Sequence, residues 1–228
     1  MLYDYVTGPL ALISLAIFFV GIIVRVVLYI RGLDWRLDRV TYTVNVKYGI
    51  KGALRSLFFW MMPYGTRSWR VKPIVTFFVF ALHIGVLFTP IFLSAHNIIL
   101  KEKFNFSFFT IPDGLADVLT IIVIVSAVVL LIRRLVLPEV RNITDFKDYM
   151  MIAITIAPFL TGFLAYHQAG DSQFWTIVHI ISGEIMLVAI PFTKLSHFVM
   201  FFCTRVQIGM DYGIKRGGMK KGYSGQNW

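Results

Sequence analysis

The sequence has little of what soluble enzymes use for chemistry. It contains one cysteine, Cys203, among 228 residues, so it forms no internal disulfide, builds no iron–sulfur cluster and attaches no haem covalently. Only 15% of the residues are charged, whereas 57% are hydrophobic and the mean hydropathy is +0.74. These values exclude an ordinary soluble domain and a disordered chain. We interpret Cys203 as a small apolar filler.

The sequence also lacks the motifs of common catalytic sites. It contains no HExxH, no Walker loop, no GxGxxG after a strand and no nucleophile elbow. The segments between its apolar runs are too short for a soluble domain. The first residues lack the basic stretch and cleavage site of a signal peptide, so the first apolar run is predicted to be retained.

Five apolar runs are present instead, each close to the roughly 20 residues that a helix needs to cross a bilayer. They predict an all-α membrane protein with a five-transmembrane-helix bundle, interpreted as one integral-membrane domain over residues 1–228. The predicted spans are 9–30, 73–93, 115–136, 149–166 and 174–202.

The distribution of basic residues predicts the orientation of these spans. Of the 22 lysines and arginines, only Lys101 and Lys103 fall in loops on one side, while Arg25 and Lys194 lie inside spans. The others follow spans one, three and five or form the tail. The positive-inside rule then predicts a bacterial inner-membrane protein with a periplasmic N-terminus and a cytoplasmic C-terminus. The net charge of +10 therefore reflects topology and partners, and we predict no nucleic-acid binding.

Residues 46–62 predict an amphipathic helix that does not cross the membrane. Its apolar positions follow helical spacing and are Ile50, Leu54, Leu57, Phe58 and Met61. Its basic positions form a second stripe and are Lys47, Lys51 and Arg55. This pattern is typical of a helix on the cytoplasmic membrane interface, and a platform for a cytoplasmic subunit is the sharper alternative. Pro63 and Gly65 predict its end.

All five histidines lie within or at the ends of predicted spans, and they are His83, His96, His167, His179 and His197. A single intramembrane histidine more often bonds a neighbouring helix than a metal. Several on facing helices favour ligation, because each buried ring needs a partner.

The spacing of two histidines on span five predicts two cofactors. His179 and His197 are eighteen residues apart, about five helical turns, so on one continuous helix both face the same side about 27 Å apart. That distance is close to the apolar thickness of a bilayer. Two stacked b-type haem groups are therefore predicted. Pairing by depth gives His83 with His197 for the inner haem and His96 with His179 for the outer haem.

One feature of span two opposes this pairing. His83 and His96 are separated by thirteen residues, which turns a regular helix to nearly the opposite face. Pro90 lies between them and is predicted to kink or unwind the helix. His167 is the alternative outer ligand, and otherwise an interfacial residue.

Four further polar residues keep two interpretations each. Glu184, inside span five, either bonds a neighbouring helix or joins a proton path to a quinone. Lys194 either snorkels to the interface or pairs with a haem propionate. Lys101 and Lys103 contact headgroups or a partner, or else donate to a quinone carbonyl.

Several segments resemble a known family. The sequences LHIGVLF around His83, PFTKLSHF around His197 and the turn RRLVLPEVRNITDFKDY resemble motifs of the membrane gamma subunit of respiratory nitrate reductase. The resemblance extends over nearly the whole chain, and the chain departs from that pattern at His96, three residues further along. The segment GLDWRLDRV and the pair His96-Asn97 are similar to the small b-type subunits of the Hmc and Tmc redox complexes of sulfate-reducing bacteria.

This resemblance implies a function. In such families the histidines of spans two and five are bis-histidine ligands of two b haems, which implies that role for His83, His96, His179 and His197. The implied protein is an electron-transfer subunit of an oxidoreductase complex, not catalytic alone. Its implied partners are a periplasmic multihaem cytochrome c or the menaquinone pool, and cytoplasmic iron–sulfur subunits. The alternative is a haem-free membrane anchor or small transporter whose histidines bridge helices.

Overall fold

The computed structural model describes residues 2–33 and 46–213, and every regular element in those ranges is a helix. Five helices are long and apolar enough to cross a membrane, here called spans one to five: Leu2–Gly32, Pro73–Phe92, Asp113–Val136, Phe146–Tyr166 and Ser172–Phe192. The shortest has 20 residues, which is about 30 Å of helix and matches a hydrocarbon core. The predicted all-α, five-span fold class is confirmed.

Local chemistry explains where two of the spans begin. Span one starts at Leu2, ahead of the predicted residue 9, because a π-helical turn over Val6–Leu10 accommodates Pro9 inside the helix. Span four starts at Phe146 rather than residue 149. Its cap is reciprocal: Asp145 accepts from the backbone N–H of Asp148 at 3.0 Å, and Asp148 accepts from that of Asp145 at 3.1 Å.

The prediction of one continuous helix over 174–202 is wrong. Span five ends at Phe192, and Thr193 is extended, with φ −122° and ψ −177°. A short 3₁₀ turn, Lys194–Ser196, follows, and a new helix begins at His197. His179 and His197 therefore lie on different helices, so their five-turn spacing fixes neither a common face nor a 27 Å separation.

The described chain divides into two compact units. The first contains the residues up to Leu15 together with Lys72–Val188, which includes spans two, three and four and most of span five. Its core includes Val123 of span three, which is fully buried. Spans four and five are joined by a hydrogen bond of 3.2 Å between the hydroxyls of Thr161 and Ser182.

The second unit contains Ala16–Val71 and the residues from Ala189 onward. In it the surface helix, Val46–Met61, packs against the terminal helix, His197–Gly213. Gly209 makes this contact possible, since a Cβ there would lie 2.6 Å from the backbone oxygen of Gly52. The guanidinium of Arg205 also stacks on Trp60, 4.3 Å from the ring centroid.

The surface helix matches the predicted bounds of 46–62 to within one residue. Gly49 and Ala53 are its buried positions. The predicted apolar stripe is mostly exposed, with Leu54 at 63% and Phe58 at 57%. The predicted basic stripe is exposed as well.

Some sequence-based expectations fall outside the described ranges. These are most of the GLDWRLDRV segment and the basic tail residues Lys215, Arg216, Lys220 and Lys221.

Candidate functional site

The end of span two determines where His96 lies. The helix stays regular past Pro90 and ends at Phe92, and Leu93 is extended, with φ −66° and ψ 133°. A separate helix, Ser94–Phe104, then begins. The predicted break therefore exists, but at Leu93 rather than at Pro90. Because His96 belongs to the new helix, the thirteen-residue spacing from His83 does not fix its direction.

The carbonyl oxygens released at this break are bound by nearby groups. His96 Nδ1 donates to the oxygen of Pro90 at 2.8 Å, and the backbone N–H of Ile111 donates to that of Phe92 at 2.9 Å. Helix ends must satisfy such oxygens when they are buried. Hydrogen bonds therefore fix the backbone conformation at the break, and one of them is made by the His96 ring.

Asn97 completes this arrangement and is only 2% exposed. Its amide nitrogen donates to the oxygens of Ile91 and Leu93 at 2.7 and 3.0 Å. Its amide oxygen accepts from the backbone N–H of Phe108 at 2.7 Å. One side chain therefore connects the end of span two, the His96 helix and the following loop.

His96 and His179 come together within the first unit. Their ring centroids are 5.9 Å apart and their ring planes differ by 16°. His179 Nδ1 donates to the oxygen of Pro158 on span four at 2.8 Å. The ring fits there because of Gly162, where a Cβ would lie 2.8 Å from its Cε1 and Nδ1 atoms.

These hydrogen bonds assign the tautomer of both rings. A carbonyl oxygen only accepts, so the Nδ1 of His96 and of His179 carries the proton, and Nε2 keeps its lone pair. No described residue hydrogen-bonds either Nε2 atom. Metal-ligating histidines usually donate their other ring N–H in this way.

His96 and His179 would suit a haem iron as two ligands, judged by the spacing of their rings. Metal–imidazole bonds are about 2 Å long, so an iron between two Nε2 atoms holds the ring centroids roughly 6 Å apart, close to the observed 5.9 Å. Within residues 2–33 and 46–213, no group of three or more His, Cys, Asp or Glu side chains converges as a metal site. A two-imidazole set suits a metal whose remaining ligands belong to a macrocycle.

His167, the predicted alternative, has a different environment. Its Nε2 lies 3.2 Å from a carboxylate oxygen of Asp117 on span three, and its side chain is 43% exposed. Its ring also contacts Phe163, with centroids 4.3 Å apart. The structure therefore brings His96, and not His167, to His179.

The other two predicted ligands lie in different units. His83 is in the first unit and donates from Nδ1 to the oxygen of Val79 at 2.7 Å. His197 is in the second unit and donates from Nδ1 to the oxygen of Lys194 at 2.8 Å. Both rings thus have the same tautomer as His96 and His179, with the lone pair on Nε2.

Glu184 lies on span five and is 8% exposed, and neither of its carboxylate oxygens has a hydrogen-bond partner among the described residues. The predicted bond to a neighbouring helix is therefore not found within them. Lys101 and Lys103 are the predicted donors to a quinone carbonyl. Of these two, Lys103 donates to the backbone oxygen of Thr7.

The sequence analysis did not predict that Asn97 supports the helix of His96, or that the ring of His179 packs against Gly162. A signal for Asn97 existed, since a buried amide next to a candidate ligand needs several partners. No local signal marked Gly162, because glycine is common in membrane helices and its contact is with another span.

Comparison with known proteins adds two findings. Residues 62–177 match the family described as "Nitrate reductase gamma subunit". A protein of Nitratidesulfovibrio vulgaris (strain Hildenborough) is 49% identical over 221 residues, which cover 97% of this chain and 98% of that protein. Its name, "Protein", states no activity, so a closer relation to Hmc or Tmc complexes stays a prediction. No solved structure matches the chain.

Proposed function

The chain belongs to the nitrate reductase gamma subunit family, and from this premise we propose that it carries electrons through the membrane by way of two b haems. The family makes it a membrane cytochrome b-type electron-transfer subunit. The number of haems, their ligands and the partners are our proposal. Bound haem supplies one-electron chemistry, and the protein supplies axial ligands, orientation and dry surroundings.

The spacing of His96 and His179 is the observation that carries the proposal. The ring centroids of the two imidazoles are 5.9 Å apart, their planes are nearly parallel, and their Nε2 lone pairs are available. These features support ligation of one iron by both histidines. A pair that only bridged helices would be expected to hydrogen-bond ring to ring or ring to backbone through both nitrogens. We therefore assign these two residues to the outer haem.

His83 and His197 are proposed as the ligands of the inner haem. This assignment rests on the sequence, on the family's pattern and on the Nδ1 bond that each ring makes to a carbonyl in its own unit. Two redox centres at different depths are needed because a bilayer's apolar core, about 30 Å thick, is too thick for a single electron transfer.

The proposed setting is the bacterial inner membrane, with a periplasmic N-terminus and a cytoplasmic C-terminus. Electrons would pass between a periplasmic multihaem cytochrome c or the menaquinone pool and cytoplasmic iron–sulfur subunits. The charge distribution supports this orientation, and the exposed basic stripe of the surface helix supports an acidic cytoplasmic partner.

A reduced-minus-oxidised visible spectrum of the purified chain tests the proposal. We expect a b-type band with two components, one of which disappears in both His96→Ala and His179→Ala. His167→Ala is the matched control and should keep both components. A flat spectrum from the parent protein would instead support a haem-free anchor or transporter.

A further inference from the structure

Span one contains an arginine within its apolar run. Arg25 lies seven residues before the end of the helix at Gly32, which is about 10 Å along the axis. A guanidinium at such a depth is costly unless it is paired. Among the described residues no carboxylate forms an ion pair with Arg25.

Within the described part of the chain, the side chain of Arg25 makes one hydrogen bond, and it reaches the break after span five. Its Nη2 donates to the hydroxyl of Ser196 at 3.1 Å, and that hydroxyl donates to the oxygen of Thr193 at 2.9 Å. Ser196 is 3% exposed and directly precedes His197. A guanidinium has five N–H donors, so most of its capacity is not used by this bond.

The neighbours of Arg25 on span one hold it at this position. Gly21 and Tyr29 lie four residues before and after it, on the same face of the helix. A Cβ at Gly21 would lie 2.6 Å from Pro191, so the helices touch there. The hydroxyl of Tyr29 hydrogen-bonds Gln207 of the terminal helix. This face of span one therefore lies along the break, beside His197.

We propose that Arg25 binds an oxyanion next to His197, namely a carboxylate of the haem that His197 ligates. The proposal rests on the proposed function. The planar guanidinium matches the geometry of carboxylate and of phosphate equally well, so a lipid phosphate is the other source of the same chemistry. Arg25 would position the haem by binding this carboxylate and would supply the positive charge that balances it.

Redox titration of purified variants tests the proposal. In Arg25→Gln, which keeps a donor for Ser196, we expect a lower midpoint potential for the component that His197→Ala removes, because a fixed positive charge favours the reduced haem. Arg25→Lys keeps the charge and should keep the potential near that of the parent. Arg31→Gln, in the last turn of the same helix, is the matched control and should shift neither component.

Delipidation in a phosphate-free detergent separates the two sources. A shift in Arg25→Gln that persists after delipidation identifies the haem carboxylate. A shift present only with phospholipid, together with one fewer bound phosphate per chain than in Arg31→Gln, identifies a lipid. Two retained haems with unchanged potentials and unchanged phosphate would overturn the proposal for Arg25 while leaving the proposed function intact. A parent protein without haem would refute the proposed function, and bound phosphate alone would then decide the role of Arg25.

Discussion

At the residue scale, backbone oxygens outside their own helices select the ring nitrogen that His96 and His179 present. Pro90 and Pro158 supply these oxygens to His96 and His179. The identity of the histidines could be predicted from the sequence, because all five lie in or at the ends of apolar runs. The backbone oxygens that hold the rings could not be predicted, because every residue type carries the same carbonyl group.

Gly162→Ala tests whether the packing of His179 matters. The added Cβ would lie 2.8 Å from the ring, so the ring must move and its bond to Pro158 must lengthen. We expect a cost of about 1–3 kcal/mol from overpacking, and a broadened or lost outer-haem component in the visible spectrum. Gly114→Ala is the control, since a Cβ there meets nothing within 4 Å. Equal spectra for the two variants would argue against the packing role.

Asn97→Asp tests the support of His96. The substitution removes the donor to Ile91 and Leu93 but keeps an acceptor for Phe108. The oxygen of Leu93 keeps the backbone N–H of Asn97 as a donor, but that of Ile91 is left without one. Leaving a buried carbonyl without a donor costs about 1–3 kcal/mol, so thermal unfolding should occur at a lower temperature and the outer haem should be partly lost. Asn142→Asp, at an exposed position, should change neither. An outer haem retained in full in Asn97→Asp would refute the support role.

At the scale of elements, the spans and the end of span two could be predicted, whereas the break at Thr193 could not. Hydropathy falls after Leu93, where the next helix is more polar, and the predicted span 73–93 ends there. Hydropathy continues across Thr193, so the apolar pattern gives no sign of that break. Pro90 and Pro191 each lie in the last turn of their helix, where the ring blocks a bond to an earlier carbonyl. The helix nevertheless continues past each proline before the chain becomes extended. Because His96 and His197 belong to new helices that follow the breaks, their directions could not be predicted from residue spacing along one continuous helix.

The contact between the surface helix and the terminal helix has its own test. A Cβ in Gly209→Ala would lie 2.6 Å from a backbone oxygen and 2.7 Å from the Cα of Ala53, and backbone atoms cannot move aside as a flexible side chain can. We expect faster amide hydrogen exchange in Val46–Met61. Gly32→Ala, with nothing within 4 Å, should leave exchange unchanged. The same exchange rates in both variants would show that the two helices do not depend on this close contact.

At the scale of the whole molecule, composition alone establishes a membrane protein, and the family match establishes a cytochrome b-type subunit. The sequence could not predict which histidines meet, because that depends on where helices end and on glycines in other spans. It also predicted a single domain, whereas the described residues form two compact units. The single-domain interpretation stays a prediction.

The haem-to-polypeptide ratio of the purified chain, measured as pyridine haemochrome against amino-acid analysis, tests the central claim most directly. The parent protein should contain two haems per chain, His96→Ala and His179→Ala should each contain one, and His167→Ala should contain two. A parent ratio of zero, or a ratio unchanged by removing either His96 or His179, would contradict the account.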